Sequence, residues 1–281
     1  MSMITRFAPS PTGGLHKGHA FSALTAWTAA QASGGRFLLR IEDTDFTRCR
    51  PEHEAAILDD LRWLGLDWES PVRRQSEHRG EYEAALEGLR DRGLLYRCFR
   101  TRKELMATAG VAPHGDDPAD PQAFAHGPHD PAEEAERLAR GEAFAWRLSL
   151  DRAREVLDGF DALTWVEEAH RPGIHTARPE RLGDMVLGRK DIGAGYVLAA
   201  VIDDAAQGVT HVIRGEDLVE VTSVQRVLQA LLGLPTPVYR HHPLILGADG
   251  RRLAKRDRSA TLGDIRASGV SAADLRAELG F

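Results

Sequence analysis

Apolar and polar positions along the chain switch repeatedly between a short strand-like run and a longer helical spacing, which predicts a βα series. Met3 to Ala8 is a short apolar run that reads as a buried first strand. Pro9, Pro11, Gly13 and Gly14 then break regular structure. Gly18 to Ala32 is small and apolar without a breaker, and reads as a helix packed on a sheet. Arg36 to Ile41 is a second apolar run, after the turn Ser33-Gly34-Gly35. Pro51 to Gly65 is an amphipathic helix, with proline at its start, glycine at its end and Ile57, Leu58, Leu61 and Leu64 as its stripe. Glu77 to Gly93 repeats the pattern with Tyr82, Leu86 and Leu89 inward, and Leu94-Leu95-Tyr96 reads as a third strand. The alternation predicts an α/β fold with a doubly wound, mostly parallel sheet.

The composition shifts at Thr101. Ala109 to Pro131 is rich in Gly, Pro, Asp and His, has little periodicity and reads as a long loop. Phe144 to Leu150 alternates like a strand, and Leu163 to Val166 is expected to pair near it, so this block reads as an α+β insertion. Regular structure resumes at Met185-Val186-Leu187. Tyr196 to Asp204 is an apolar run ending in two acids, Thr210 to Arg214 reads as a strand, and Thr222 to Leu232 as a helix. Ser271 to Leu279 reads as a short terminal helix capped by Ser271. The expected organisation is a split Rossmann-like core at 1–96 and 185–235, an insertion at 97–184, and a basic-loop and helical segment at 236–281.

The 281 residues suffice for a substantial core, and the net charge of −6 places any nucleic-acid contact on a local patch. Two cysteines, Cys49 and Cys98, exclude a disulfide framework and a four-cysteine zinc site. The start of the chain lacks the apolar core of a signal peptide, and no run approaches the ~20 apolar residues of a membrane span. A cytoplasmic monomer is expected.

The candidate chemistry gathers at strand ends. His16 and His19 stand at the entrance of the first helix, where free N–H groups and a positive dipole end favour phosphate. Imidazoles there can donate to phosphate oxygens as charge builds. Gly18 leaves room for a flat base. Glu42, directly after the second strand, is a candidate for an ammonium or cation, with Asp45 read as structural. Arg214 and Asp217 follow the strand at Thr210 in the same way. Arg251 to Arg256 is a compact basic loop suited to closing on phosphates. His114, His126 and His129 lack the spacing of a closed zinc site and read as solvated.

The pair His16-Lys17-Gly18-His19 and Arg252-Leu253-Ala254-Lys255-Arg256 resembles the two signatures of a class I aminoacyl-tRNA synthetase. R-F-A-P-S-P-T-G at Arg6 to Gly13, L-R-I-E-D-T-D at Leu39 to Asp45 and V-I-R-G-E-D-L at Val212 to Leu218 narrow the resemblance to the glutamyl branch. The chain stops soon after the basic loop, so no anticodon-binding domain is expected, and the whole is similar to the truncated glutamyl-Q tRNA(Asp) synthetase family. That resemblance implies activation of L-glutamate by ATP with Mg2+ and transfer to the queuosine of tRNA(Asp). It implies a glutamate site at Arg6, Phe7, Ala8, Pro9, Ser10, Glu42, Tyr196 and Arg214. It implies an ATP site at His16, Gly18, His19, Asp217 and Lys255, with His16, His19 and Lys255 catalytic. Which arginine takes which carboxylate stays open. Arginine-bearing surfaces at Arg97 to Lys103 and Arg251 to Arg258 are expected to hold the RNA backbone. Many members carry a zinc site with a C-x-C pair; here Cys98 is followed by Phe99 and Arg100, so zinc is expected to be absent. Ala254 stands where the basic motif usually has a small polar residue, and Lys255 keeps the charge. Two alternatives stay open: a catalytic fragment of a glutamyl-tRNA synthetase that charges the tRNA 3′ end, and a non-catalytic synthetase-like binding protein.

Overall fold

The three strands of the first half, β1 (Ile4–Phe7), β2 (Arg36–Ile41) and β3 (Glu69–Arg74), run parallel in the order β1-β2-β3. This is a computed structural model, and it describes residues 2–100, 127–189, 193–245 and 260–281. Helix α1 (Lys17–Ala32) crosses between β1 and β2, and α2 (Pro51–Trp63) between β2 and β3. α3 (Arg79–Asp91) follows, with Tyr82, Leu86 and Leu89 buried as the periodicity predicts. The sequence reading put the third parallel strand at Leu94 to Tyr96, and this is corrected. β3 takes that place. Its charged and proline-containing sequence lacks an apolar signal because it is an edge strand, where such residues are tolerated.

β4 (Leu95–Cys98) instead pairs antiparallel with β5 (Ala145–Leu148), which continues to β8 (Val186–Arg189) and the short β9 (Gly193–Ala194). α4 (Pro131–Ala139) and α5 (Leu150–Val156) flank this sheet in the chain. The strand at Leu163 to Val166 does not pair beside β5, a second correction. As β6 (Thr164–Glu167) it pairs antiparallel with β7 (Gly173–Thr176) and parallel with β11 (Val238–His242), which lies beside β10 (His211–Gly215). Partner choice is a long-range matter that alternation within one strand does not encode.

β1 and β10 meet at their entry ends. Thr210 N donates to Ile4 O at 2.9 Å, and Ile4 N donates to Thr210 Oγ1 at 2.8 Å. The order outward from this junction is β1-β2-β3 on one side and β10-β11-β6-β7 on the other. That is a topological switch point, where the carboxyl ends of the strands border a crevice. The apolar run from Tyr196 is helix α6 (Tyr196–Ala206). Its residues 197–201 are all buried, as in a helix covered on every side. α7 (Val219–Leu232) joins β10 to β11.

The two terminal helices, α8 (Leu262–Ala267) and α9 (Ala272–Glu278), return to the first half. Leu262, Ile265, Leu275 and Leu279 share one apolar core with α1, α2 and β2. Ser271 caps α9 by accepting from Asp274 N, as its sequence predicts. Leu262 N donates to Leu15 O at 2.7 Å, which ties this segment to the turn before α1. No described helix is long and apolar enough to cross a membrane.

α1 lies on the sheet through Ala20, Ala23, Leu24, Ala26 and Ala30, all fully buried. Four small side chains let the helix axis come close to β1 and β2, and so fix the position of its N-terminus at the crevice. Ala23→Leu should therefore overpack this contact and destabilise the protein by roughly 1–3 kcal/mol in chemical denaturation. An unchanged unfolding midpoint would contradict the close packing of α1.

Candidate active site

The crevice at the switch point holds a cavity of about 380 Å3. Arg6, Phe7, Ala8, His16, Gly18, His19, Glu42, Tyr196, Arg214 and Asp217 line it, which brings together ten of the thirteen positions singled out in the sequence. Pro9 and Ser10 are not among the lining residues. Pro9 O accepts from Glu42 N at 3.0 Å and Ser10 O from Thr12 N at 2.8 Å, so both shape the turn instead. Lys255 and the rest of the basic loop lie outside the described residues, as do His114 and His126. The flanks of the loop are described: Leu244 and Ile245 line the cavity, and Thr261 forms a β-bridge with His16.

The two motif histidines build the N-terminus of α1. His16 Nδ1 accepts from Gly18 N at 3.1 Å, and His19 Nδ1 accepts from His16 N at 3.2 Å, a reciprocal capping box made of imidazoles. The rings stack with centroids 3.8 Å apart. Because each Nδ1 accepts, each neutral ring carries its proton on Nε2. A Cβ at position 18 would sit 3.1 Å from His16 Cε1, so Gly18 keeps this stack free of crowding.

Below the cavity lies a buried charge network that no local pattern announces. Arg40 is fully buried. Its Nη1 donates to Asp204 Oδ1 at 2.7 Å, its Nη2 to Glu42 Oε1 at 3.2 Å, and its Nε lies 3.6 Å from Asp203 Oδ2. Arg6 grips Asp204 with two donors, Nε at 2.9 Å and Nη2 at 3.2 Å. Asp203 accepts from Tyr82 Oη at 2.7 Å, from Arg73 Nε at 2.8 Å and from Gln75 Nε2 at 2.8 Å. Burial works against the ionised form of Asp204, but Arg6 and Arg40 outweigh it and hold the carboxyl down at about 2. Burial also works against the Arg40 cation, and the surrounding carboxylates reverse it to keep the guanidinium charged. Glu42 goes the other way. Burial pushes it up to about 7, against the pull of Arg40 and Arg6. It is a carboxylate held near its titration point at the cavity wall. Asp45 instead accepts from Thr47 N, Thr47 Oγ1 and Arg48 Nε in an exposed turn, which fits its structural reading.

On the opposite wall, Arg214 Nη2 donates to Thr222 Oγ1 at 2.8 Å and to Leu218 O at 3.2 Å, and its Nε to His241 Nε2 at 3.1 Å. Its Nη1 is buried with no partner among the described residues. A buried guanidinium nitrogen without an acceptor is costly unless a ligand completes it. A Cβ on Gly215 would approach Asp217 Oδ1 to 2.5 Å, so glycine is what lets Asp217 fold back beside the strand end. The sequence reading missed Arg40, Ser22, His241 and His242. His242 donates through Nδ1 to Pro243 O at 2.9 Å, so its Nε2 accepts from Ser22 Oγ at 2.9 Å. The signal available for Arg40 was the acid pair Asp203-Asp204 closing an otherwise apolar run, which demands buried cations.

Cys98 is buried. Among the described residues no group of three or more His, Cys, Asp or Glu side chains could hold a metal. Arg100, in the second C-x-C position, carries a cation that cannot ligate one. Aromatic packing holds this region: Phe99 meets His129 and Phe144 edge-on at 5.6 Å, and Arg97 covers Trp146 at 4.8 Å while paired with Glu134. His129 is thus buried against Phe99 rather than solvated, a correction that follows from the seat Phe99 provides. Arg97, expected to face RNA, is half-buried and already paired.

Residues 2–277 match the family model for "tRNA synthetases class I (E and Q), catalytic domain". The chain belongs to this family. It is 49% identical to a glutamyl-Q tRNA(Asp) synthetase of Rhodobacter capsulatus, over 99% of this chain and 100% of that protein. A glutamyl-Q tRNA(Asp) synthetase of Nocardia farcinica is 46% identical, over 95% of this chain and 80% of that one. A glutamate tRNA ligase from Elizabethkingia meningosepticum, solved in complex with its amino acid, superposes with a TM-score of 0.70 at 28% identity. The match covers 92% of this chain and 52% of that one, so the synthetase fold described here spans about half the length of that ligase. The class I Rossmann-like core and the ligase class follow.

Asp204 is the anion shared by two buried cations of this synthetase core. Asp204→Asn should leave both Arg6 and Arg40 under-neutralised and destabilise the protein by about 3–5 kcal/mol. A loss below about 1 kcal/mol in denaturant titration would mean that the network is not coupled as its geometry indicates.

Proposed function

We propose that the protein activates L-glutamate with ATP and transfers it to the queuosine of tRNA(Asp). The observation that carries the glutamate reading is the charge pattern of the cavity wall: two cations, Arg6 and Arg214, beside the buried carboxylate of Glu42, with the second lining carboxylate, Asp217, assigned to the ATP side. Glutamate offers the complement, two carboxylates and one ammonium. Glu42 takes the ammonium, since a buried carboxylate matches it in charge and in hydrogen bonding. Arg214 offers its unpartnered Nη1 to one carboxylate. Tyr196, at the mouth, offers a hydroxyl. ATP enters with its phosphates at the N-terminus of α1, where His16 and His19 present Nε2–H donors, and Mg2+ arrives on those phosphates as part of the substrate. Asp217 and Gly18 line the cavity as well.

An α-carboxylate oxygen of glutamate attacks the α-phosphorus of ATP. The new P–O bond forms as the bond to the β-phosphate bridge breaks, and pyrophosphate leaves. The side chains position the reactants and stabilise charge, and no protein nucleophile is required. Lys255 supplies a point charge to the departing phosphates, a role supported by the two flanks of its loop, both attached to the cavity rim. A ring hydroxyl of queuosine then attacks the glutamyl carbonyl, AMP leaves, and the hydroxyl proton is lost. The 49% identity to a glutamyl-Q tRNA(Asp) synthetase across its full length favours this acceptor over the tRNA 3′ end.

The acceptor is tested by charging tRNA(Asp) with and without queuosine beside tRNA(Glu), using labelled glutamate. Label should enter only the queuosine-containing tRNA(Asp) and remain after the 3′-terminal adenosine is trimmed away. Label leaving with that adenosine would establish the ordinary 3′-end reaction instead.

Glutamate binding should also depend on pH through Glu42. Its folded pKa is raised to about 7. The anion that receives the ammonium is therefore present above that pH and lost below it. KM for glutamate should be flat from about pH 7.5 to 8 and rise by nearly tenfold per unit below about 6.5. Glu42→Gln should raise KM and flatten the profile; a wild-type KM constant down to pH 5.5 would remove Glu42 from the ammonium site. Lys255→Ala should lower the activation rate by roughly 100- to 1,000-fold while leaving glutamate affinity nearly unchanged, measured by pyrophosphate exchange.

A further inference from the structure

β11 delivers two histidines in succession to the crevice. His242 lines the cavity, whereas His241 is buried behind it. The His241 ring lies parallel to that of Tyr239, 3° between planes. Its Nδ1 is 2.6 Å from Glu167 Oε2, and its Nε2 is 3.1 Å from Arg214 Nε. Glu167 closes β6, the strand beside β11, and its Oε1 accepts three backbone N–H groups: Ala169 at 3.0 Å, His170 at 2.9 Å and His241 at 3.0 Å. Such donors hold the carboxyl ionised and below its usual range, against the effect of burial.

The hydrogen-bond directions leave one arrangement. A carboxylate only accepts, so His241 Nδ1 donates to it. A guanidinium only donates, so His241 Nε2 must present a lone pair to Arg214. A charged imidazole would set two donors against each other. Burial, and then the Arg214 cation, push the His241 imidazole well below its usual range, so the ring stays neutral. With Thr222 and Leu218 on Nη2, this leaves Arg214 Nη1 as the guanidinium nitrogen available to a ligand.

We propose that Glu167 and His241 are positioning residues that lock the Arg214 guanidinium in place for a carboxylate of the amino acid, and thereby set KM for glutamate. The proposal rests on the glutamate reading above. It differs from a purely structural weld between β6 and β11, which would affect stability and all substrates alike.

Glu167→Gln separates the two. The amide keeps the shape and can still accept the backbone N–H groups, but its NH2 then faces Nδ1. His241 must accept there, and its proton moves to Nε2, opposite the Arg214 N–H. The analogous wrong-tautomer exchange elsewhere leaves geometry intact and costs function. Nitrogen-15 NMR of the imidazoles should show Nδ1–H with a bare Nε2 in the wild type from pH 8 to 5.5, and Nε2–H in Glu167→Gln. In glutamate-dependent ATP–pyrophosphate exchange, KM for glutamate should rise roughly 10- to 100-fold, while KM for ATP stays within about twofold. His241→Phe, which keeps the ring against Tyr239 without the acceptor, should do the same, and His241→Gln, which restores an acceptor, should recover part of the loss. An Nε2–H tautomer in the wild type, equal shifts in both KM values, or a loss of stability alone would overturn the proposal. A wild-type enzyme without glutamate-dependent exchange would fail the underlying reading instead, and the NMR spectrum, recorded without substrate, distinguishes that outcome.

Discussion

Arg6 and Glu42, on the cavity wall, lean on one buried ion pair, Arg40 with Asp204. Arg40 rises from β2 without exposure to solvent and meets three carboxylates, Asp203, Asp204 and Glu42. Asp204 in turn holds Arg6 of β1 by two donors. Strands β1 and β2 and helix α6 are therefore joined by charge beneath the cavity. Networks of this kind are a weak source of net stability, because desolvation offsets most of the attraction, but removing one member is severe. What the network does supply is position. Arg6 and Glu42 reach the cavity wall with their geometry already set, so no binding energy is needed to assemble them. The same placement leaves Glu42 poised, because Arg40 and Arg6 counter only part of its burial.

A second constraint acts on α1. The alanines of α1 bring its N-terminus down onto the sheet, and the imidazole capping box there places the proton of each neutral ring on Nε2. The terminal helices close the arrangement from below. Thr261 pairs with His16, and Leu262 with Leu15, so residues that follow the basic loop share the core of the residues that precede α1. The wall that carries Arg6 and Glu42 and the N-terminus of α1 thus belong to one frame around the β1–β10 junction.

Much of this was legible in the sequence, and what was not has physical reasons. Helices α1, α2, α3, α7 and α9 show in their breaker-free runs and spacing, and α9 also in its Ser271 cap, since such signals are local. Ten of the thirteen site positions lie on the cavity because they sit at strand ends next to breakers, where a doubly wound sheet puts its ligands. β3 escaped because an edge strand needs no apolar run, and Leu94 to Tyr96 was mistaken for it because an apolar triplet carries no information on its partner. β6 was assigned to the wrong sheet for the same reason. Arg40 reads as a polar interruption of an apolar run; only the acids Asp203 and Asp204, some 160 residues later, explain it. His241 and Glu167 are silent in the sequence because a tautomer is fixed by partners on two other strands.

If Arg6, Glu42 and Arg214 form the glutamate site, this chain builds it in advance, and its charge pattern is set before any RNA arrives. ATP–pyrophosphate exchange in the absence of tRNA, with glutamate and glutamine compared, tests it most directly. Exchange is expected with glutamate alone, with strong discrimination against glutamine, whose neutral amide leaves a buried guanidinium without its anion. Exchange that requires tRNA, or equal rates with the two amino acids, would contradict it.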